Sequence, residues 1–423
     1  KYLLLPILLI TGLFAQTDVS GNISGSWTTA GSPYIVTGNL LLLPEDTLTI
    51  DPGVEVRFDG NYKLDVFGTL FAVGTEGDSI SFVSNAGGTW MSINFADDAN
   101  DDGRLEYCIV DGGSESGYDP YYGMVNAKES SPTFAHNRIS NGSHDAIHLS
   151  YSNSVISDNL ITGISGDGIE GGSYSTPTIS NNVFENISTR GIYLADGSNT
   201  EITNNTFNSM GDHGIYLSGG TGTTVSDNNL TTVGGGSDYG IYLASGSGAE
   251  ISGNALESIS GNGIYITSNA DNGVVSDNAL SSIISSYGIY VGSGSDSLTV
   301  NNNNLENIIG QGIYFYSGNA LEMSNNSIIN SSNTAIHINI SSSWGIISNN
   351  LIQGGGGQGI YLNDFVTYTN ISGNEITGKN NEGIYYILYW PFWIWKINFS
   401  KCFINKIPRG RNSSCYFIGW RYS

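Results

Sequence analysis

The 423-residue chain is poor in charge, and poorest in positive charge: 14 Lys and Arg stand against 38 Asp and Glu, for a formal charge of −24. Such a surface excludes nucleic-acid binding, and it repels anionic lipid and uronate polymers unless a divalent cation bridges them. Cysteine is almost missing. Of Cys108, Cys402 and Cys415 only the first falls in the regular body, so no disulfide is available there and stability has to come from packing. No apolar stripe of helical period runs through the body, which excludes a helical fold. Nor does the body contain an apolar run long enough to cross a bilayer. The early run from Leu3 to Phe14, after Lys1-Tyr2, is also too short to span. With Ala15 as a small residue at its end, it predicts a signal peptide over residues 1–15, and hence a secreted or cell-surface protein.

What the chain has instead is repetition. Asn137, Asn159, Asn182, Asn205, Asn228, Asn254, Asn278, Asn303, Asn326, Asn350 and Asn374 recur every 22 to 26 residues. In nine of these eleven units a small residue follows nine positions later and opens an alternating step, as in Gly191-Ile192-Tyr193-Leu194. A period of this length marks a solenoid, and the two-residue alternation marks its elements as strands. Strands repeating at one-coil intervals stack in parallel, about 4.8 Å apart. The Asn column has two causes in this reading: Asn tolerates the left-handed backbone of a tight corner, and its amide can bond the coils on both sides as a ladder. The predicted fold is therefore all-β, a parallel β-helix of 22–26-residue coils with an Asn ladder. Residues 16–95 form an N-terminal cap and first irregular coils, and 96–386 the repeats. Residues 387–423 form an off-register tail with six of the 14 basic residues and no acidic one; it predicts either a frame slip or an aromatic cap.

These units resemble the right-handed parallel β-helix repeats of the pectin-lyase-like superfamily, over about Thr37 to Tyr386. The resemblance implies a right-handed solenoid. It leaves the activity open, because the superfamily spans lyases, glycoside hydrolases, esterases, epimerases and adhesins. Pro52-Gly53-Val54-Glu55-Val56 and Gly68-Thr69-Leu70 resemble the opening coils of its secreted members. Gly117-Tyr118-Asp119-Pro120 resembles the Tyr-Gly-x-Asp-Pro-His motif of alginate epimerases on this fold, without the His and with different spacing.

Stacking decides where chemistry can lie, since equivalent positions on successive coils become neighbours. Two residues after the small residue the chain places His148, Glu170, Tyr193, Tyr216, Tyr242, Tyr265, Tyr290, Tyr314, His337, Tyr361 and Tyr385. This predicts an exposed file, read either as favourable cross-strand stacking or as a platform for a polysaccharide at Tyr193, Tyr216, Tyr242, Tyr265, Tyr290 and Tyr314. On the early coils Asp145, His148, Asp167, Glu170, Arg190 and His213 converge. They are candidates for a lyase, glycoside hydrolase or epimerase: carboxylates one or two coils apart approach glycosidase separations, and Arg or His could abstract a proton. Solvated turn residues are the plainer account. His136, beside Asn137, reads as a structural corner. Asp98, Asn100 and Asp102, followed by Gly103, match the start of a calcium loop. Ile109 stands where the closing Glu belongs, so an EF-hand is excluded, and a calcium-binding turn or a solvated acidic loop remains. The sequence thus predicts a polysaccharide binder along the Tyr file, with a polysaccharide-active enzyme and a structural or adhesive rod as alternatives.

Overall fold

The structure is a computed structural model that describes residues 16–388 except 98, 115–121, 173, 236–237, 341, 364–365 and 382, together with the strands Asn398–Ser400, Phe403–Ile404 and Ile418–Gly419. The predicted signal peptide, Asp98 and the segment 117–120 lie outside the described residues.

The chain winds into a parallel β-solenoid of about 14 turns with about 24 residues per turn. Each coil supplies three strands. One coil contributes Thr178–Ser180, Val183–Ile187 and Ile192–Leu194, and the next repeats them as Glu201–Thr203, Thr206–Met210 and Ile215–Leu217. Pairing is parallel and without offset, so Ile192, Tyr193 and Leu194 face Ile215, Tyr216 and Leu217. Like side chains therefore pile into columns. The three short tail strands pair in the same parallel sense, Ile371 with Phe399, Ile376 with Ile404 and Ile387 with Ile418.

The core is the inward half of the alternation. Ile179, Phe184, Ile187, Ile192 and Leu194 of one coil are all but fully buried, and each such side chain contributes roughly 1.5–3 kcal/mol of transfer free energy. Phe184 and Phe207 stack across coils at 4.7 Å and 2°. The small residue that opens the third strand is set by proximity. A Cβ on Gly191 would stand 2.5 Å from Phe207 Cδ1 and 2.7 Å from the Gly214 carbonyl oxygen.

All eleven ladder asparagines are buried, at 2% exposure or less. Asn182 is typical. Its N–H and Nδ2 both donate to Asn205 Oδ1, at 2.9 and 3.0 Å, while Nδ2 also reaches the carbonyl oxygen of Ile156 at 2.9 Å. Cys108 occupies the rung before Asn137, donating its N–H to Asn137 Oδ1 at 2.9 Å; burial pushes its thiol pKa well up. One expectation needs correction. The left-handed residue at this corner is not the ladder Asn but the residue before it: Asp158, Asn181, Asn204 and Asp227 have φ of 56° to 58°. His136, with φ 54°, holds the same corner and stacks on Tyr107 at 4.5 Å. The two jobs are therefore divided: one residue makes the turn, and the next commits its side chain to both neighbouring coils.

Candidate functional site

The outward column of the third strand runs further than the repeats suggest. Cross-strand pairing joins Asp65, Asn94, Asn126, His148, Glu170 and Tyr193 in one line, which continues through Tyr216 and beyond. Its first part is a polar chain. Asn94 Nδ2 donates to Asp65 Oδ1 at 2.8 Å, and Asn126 Nδ2 to Asn94 Oδ1 at 2.9 Å. Sequence reasoning missed these rungs, although Val125-Asn126-Ala127 has the same alternation as Ile147-His148-Leu149.

Next comes the charged part. Of the six predicted catalytic residues the structure brings three together. Asp145 and His148 are buried, at 8% and 6% exposure, and Glu170 is half-buried. His148 Nδ1 stands 3.8 Å from Asp145 Oδ2 and 3.7 Å from Glu170 Oε2, beyond hydrogen-bond range. Burial raises the Asp145 pKa to about 7, although His148 opposes the shift. Burial alone would lower the His148 imidazole, but the two carboxylates overcome it and lift it to about 9. Glu170 is held down to about 2, chiefly by His148. Mutual proximity thus favours the charged forms of His148 and Glu170, while burial favours the neutral acid at Asp145.

Asp167 and Arg190 form a separate unit. Arg190 meets Asp167 with two bonds, Nη2 to Oδ2 at 2.6 Å and Nε to Oδ1 at 3.1 Å. The Asp167 carboxylate also accepts from the Arg190 N–H at 3.0 Å and from the Thr189 hydroxyl. His213 belongs to a third group, with Asp212 at 3.2 Å and Asp238 at 3.9 Å, two carboxylates the sequence reading did not single out. His213 Nδ1 accepts a hydrogen bond from the Tyr239 N–H at 3.1 Å, and burial lowers its pKa.

The aromatic part follows, and here the expected exposure is corrected. Tyr193, Tyr216, Tyr242, Tyr265 and Tyr290 are half-buried and Tyr314 is buried at 9%. The reason is the column itself. From Tyr216 to Tyr314 successive rings stand 4.2 to 6.0 Å apart and within 12° of parallel. Ring faces are covered by neighbouring rings, and edges with their hydroxyls face outward. Tyr239 and Tyr287 add a second row, packed 4.9 to 5.1 Å from the file rings.

The flanking positions change character along the axis. Beside the first rungs stand Asp145, Asp167 and Arg190. Farther on, one flank carries Asn262, Tyr287, Gln311, Thr334 and Gln358, and the other Thr267, Gly292, Tyr316, Asn339 and Asn363, with no charge among them. A cavity of about 540 Å³ adjoins this stretch, lined by Ile284, Tyr287, Ile309, Gln311 and Asn333 among others.

The described part of the predicted calcium turn is committed to its own chain. Asn100 Oδ1 accepts from the Asp102 N–H at 2.9 Å, Asp101 Oδ1 from the Ser131 N–H at 2.6 Å, and Asp97 pairs with Lys128 at 2.7 Å. No helix among the described residues is long and apolar enough to cross a membrane.

Residues 76–230 and 123–280 match a family described as right handed beta helix region, and residues 237–399 one described as periplasmic copper-binding protein (NosD). The latter stretch holds one His, His337, one Met, Met323, and no Cys. Met323 is buried in the core and His337 Nδ1 is 2.9 Å from Gln311 Oε1, so these residues do not fit a copper centre. No curated protein matches the sequence. Among solved structures, the chain is similar to the periplasmic alginate epimerase AlgG, at 14% identity over 84% of this chain and 77% of that one, with a TM-score of 0.38. It is also similar to the A-module of the Azotobacter vinelandii mannuronan C-5 epimerase AlgE6, at 15% identity over 84% and 88%, with a TM-score of 0.30. For bacteriophage CBA120 tailspike protein 3 the figures are 10%, 88%, 55% and 0.36.

Proposed function

We propose, for a chain that is a right-handed parallel β-helix protein of the pectin-lyase-like superfamily, that it acts outside the cytoplasm and binds a neutral polysaccharide along the face from Tyr216 to Tyr361. One observation carries this reading: apart from Asp212, His213 and Asp238 beside Tyr216 and Tyr242, these coils present phenol edges, amides, hydroxyls and the neutral His337 ring without a charge, on a protein whose formal charge is −24.

Amide and hydroxyl groups donate and accept, as sugar hydroxyls do, and at roughly 4.8 Å per coil they repeat along a line as a polymer does. The contact is edge-on. Stacking inside the file occupies the ring faces, so a sugar meets phenol rims and the amides beside them rather than a flat aromatic platform. Some of these groups are already oriented: Thr267 Oγ1 donates to the Tyr242 hydroxyl at 2.9 Å, and Asn363 Nδ2 to Asn339 Oδ1 at 2.7 Å. Tyr193, beneath the Arg190 guanidinium at 3.8 Å, marks the charged end of the tract. The extracytoplasmic location is supported by the match to a family described as periplasmic.

Affinity electrophoresis through gels containing neutral glucans, mannans or galactans, with polyuronates alongside, tests the reading. At least one neutral polymer should retard the protein, and Tyr216→Ala with Tyr242→Ala should weaken that retardation severalfold. Equal retardation by a polyuronate, or full retardation of the double variant, would count against it.

A further inference from the structure

We propose that Asp145, His148 and Glu170 bind a single divalent transition-metal cation, with Zn²⁺ or Mn²⁺ as the fitting probes. The site lies at the charged end of the third face, and the proposal does not rest on the polysaccharide reading. It also lies outside residues 237–399, which match the family described as copper-binding.

The three residues offer one imidazole nitrogen and two carboxylate oxygens, all within 4.8 Å of one another. A cation about 2.1–2.3 Å from each donor holds them roughly 3.0–3.8 Å apart, depending on angle. The nitrogen already stands 3.8 and 3.7 Å from the two oxygens, at the wide end of that range.

The second observation is independent of the acidic pair. His148 is 94% buried, by its 6% exposure, and its Nδ1 has no hydrogen-bond partner among the described residues. A buried ring nitrogen left without a bond costs free energy unless something else meets it. Here it points between two carboxylates 3.8 and 3.7 Å away, where a divalent cation would take the place of the ring proton and draw all three donors in.

The neighbouring group supplies the contrast. Asp212, His213 and Asp238 likewise offer one imidazole and two carboxylates within the same distance. There His213 Nδ1 spends its lone pair on the Tyr239 N–H at 3.1 Å, so it has none for a metal. The cluster at Asp145 also has the support a metal site needs. Asp145 Oδ1 is fixed by the Asp167 N–H at 2.7 Å, which leaves Oδ2 turned to His148, and the Tyr122 ring stands edge-on against the imidazole at 5.4 Å. Fixed second partners of this kind set ligand orientation. An imidazole beside two carboxylates suits Zn²⁺ or Mn²⁺ better than the all-oxygen preference of Ca²⁺.

The test uses the full chain, stripped with chelator and titrated calorimetrically with Zn²⁺ and with Mn²⁺. We expect one equivalent of at least one ion to bind, with affinity about tenfold or more lower in His148→Gln and in Glu170→Gln and unchanged in Asp212→Asn. Binding of neither ion to wild type, or unchanged binding to His148→Gln, would overturn the site. Should a variant fail to fold, Co²⁺-loaded wild type decides: one histidine should show paramagnetically shifted ring signals, and their absence overturns the assignment.

Discussion

Arg190 reaches back one coil to Asp167, with Nη2 2.6 Å from Oδ2 and Nε 3.1 Å from Oδ1, and lays its guanidinium 3.8 Å over the ring of Tyr193. Asp167 is 2% exposed. A carboxylate so enclosed needs its partner, and the pair joins successive coils. Arg190→Ala should cost about 3 kcal/mol, the lower end for breaking a buried pair because solvent reaches the Arg side. Urea denaturation measures it, and a loss below about 1 kcal/mol would show that the pair does not brace the coils.

The ladder predicts a gradient of cost. Asn254 donates from Nδ2 to Asn278 Oδ1 at 2.9 Å and to the Val225 carbonyl at 2.8 Å, and accepts from the Asn228 N–H at 3.0 Å. Asn254→Ala leaves buried groups unmet on both adjoining coils, at about 1–3 kcal/mol each. Asn374 ends the eleven: its Oδ1 accepts from the Asn350 N–H and Nδ2 at 2.9 Å and its Nδ2 donates to the Ile347 carbonyl at 2.8 Å, but no Asn rung follows it among the described residues. Asn374→Ala should cost clearly less. Equal losses in denaturation midpoint would mean that the amides do not act as a continuous chain.

The repeat was legible because a period survives any local ambiguity. The role of each Asn was not. Asn181-Asn182, Asn204-Asn205 and Asn325-Asn326 put the same residue at the turn and at the rung, so spacing cannot tell them apart. The signal lay in Gly253-Asn254 and Gly373-Asn374, where Gly takes the left-handed position, with φ of 67° and 68°. The exposure of the Tyr file was misread for a related reason. Alternation says which way a side chain points, but a column of identical rings supplies its own cover. Among the charged residues, stacking placed Asp145 near His148 and Glu170. It could not show that Asp167 would turn to Arg190, because that depends on side-chain torsions rather than register.

His337 makes the pH dependence specific. Its Nε2 is buried without a hydrogen-bond partner among the described residues, and burial lowers its pKa to about 4. The unfolded imidazole takes its proton near pH 6.5. The contribution of His337 to stability is therefore full above about pH 6.5 and is lost as the pH drops toward 4, since the unfolded state binds the proton first. Denaturation midpoints followed over that window should fall less steeply in His337→Gln than in wild type. Identical slopes would contradict the buried neutral ring.

The phenols predict the opposite limb. Burial, reinforced by neighbouring tyrosines, raises Tyr265 and Tyr314 to about 12. An unfolded phenol ionises near pH 10, so stability is retained below that pH and lost as the pH rises from about 10 to about 12. Ultraviolet titration should show the file ionising after the ordinary tyrosines and together with unfolding. A single transition near pH 10 in a folded protein would contradict the stacked file.

The most direct measurement is hydrogen–deuterium exchange with and without a retained neutral polysaccharide. Binding along the uncharged face predicts protection at 239–243, 262–268, 287–293 and 311–315, coil after coil. Protection confined to 145–150 and 169–171, or to the other two faces, would contradict the account.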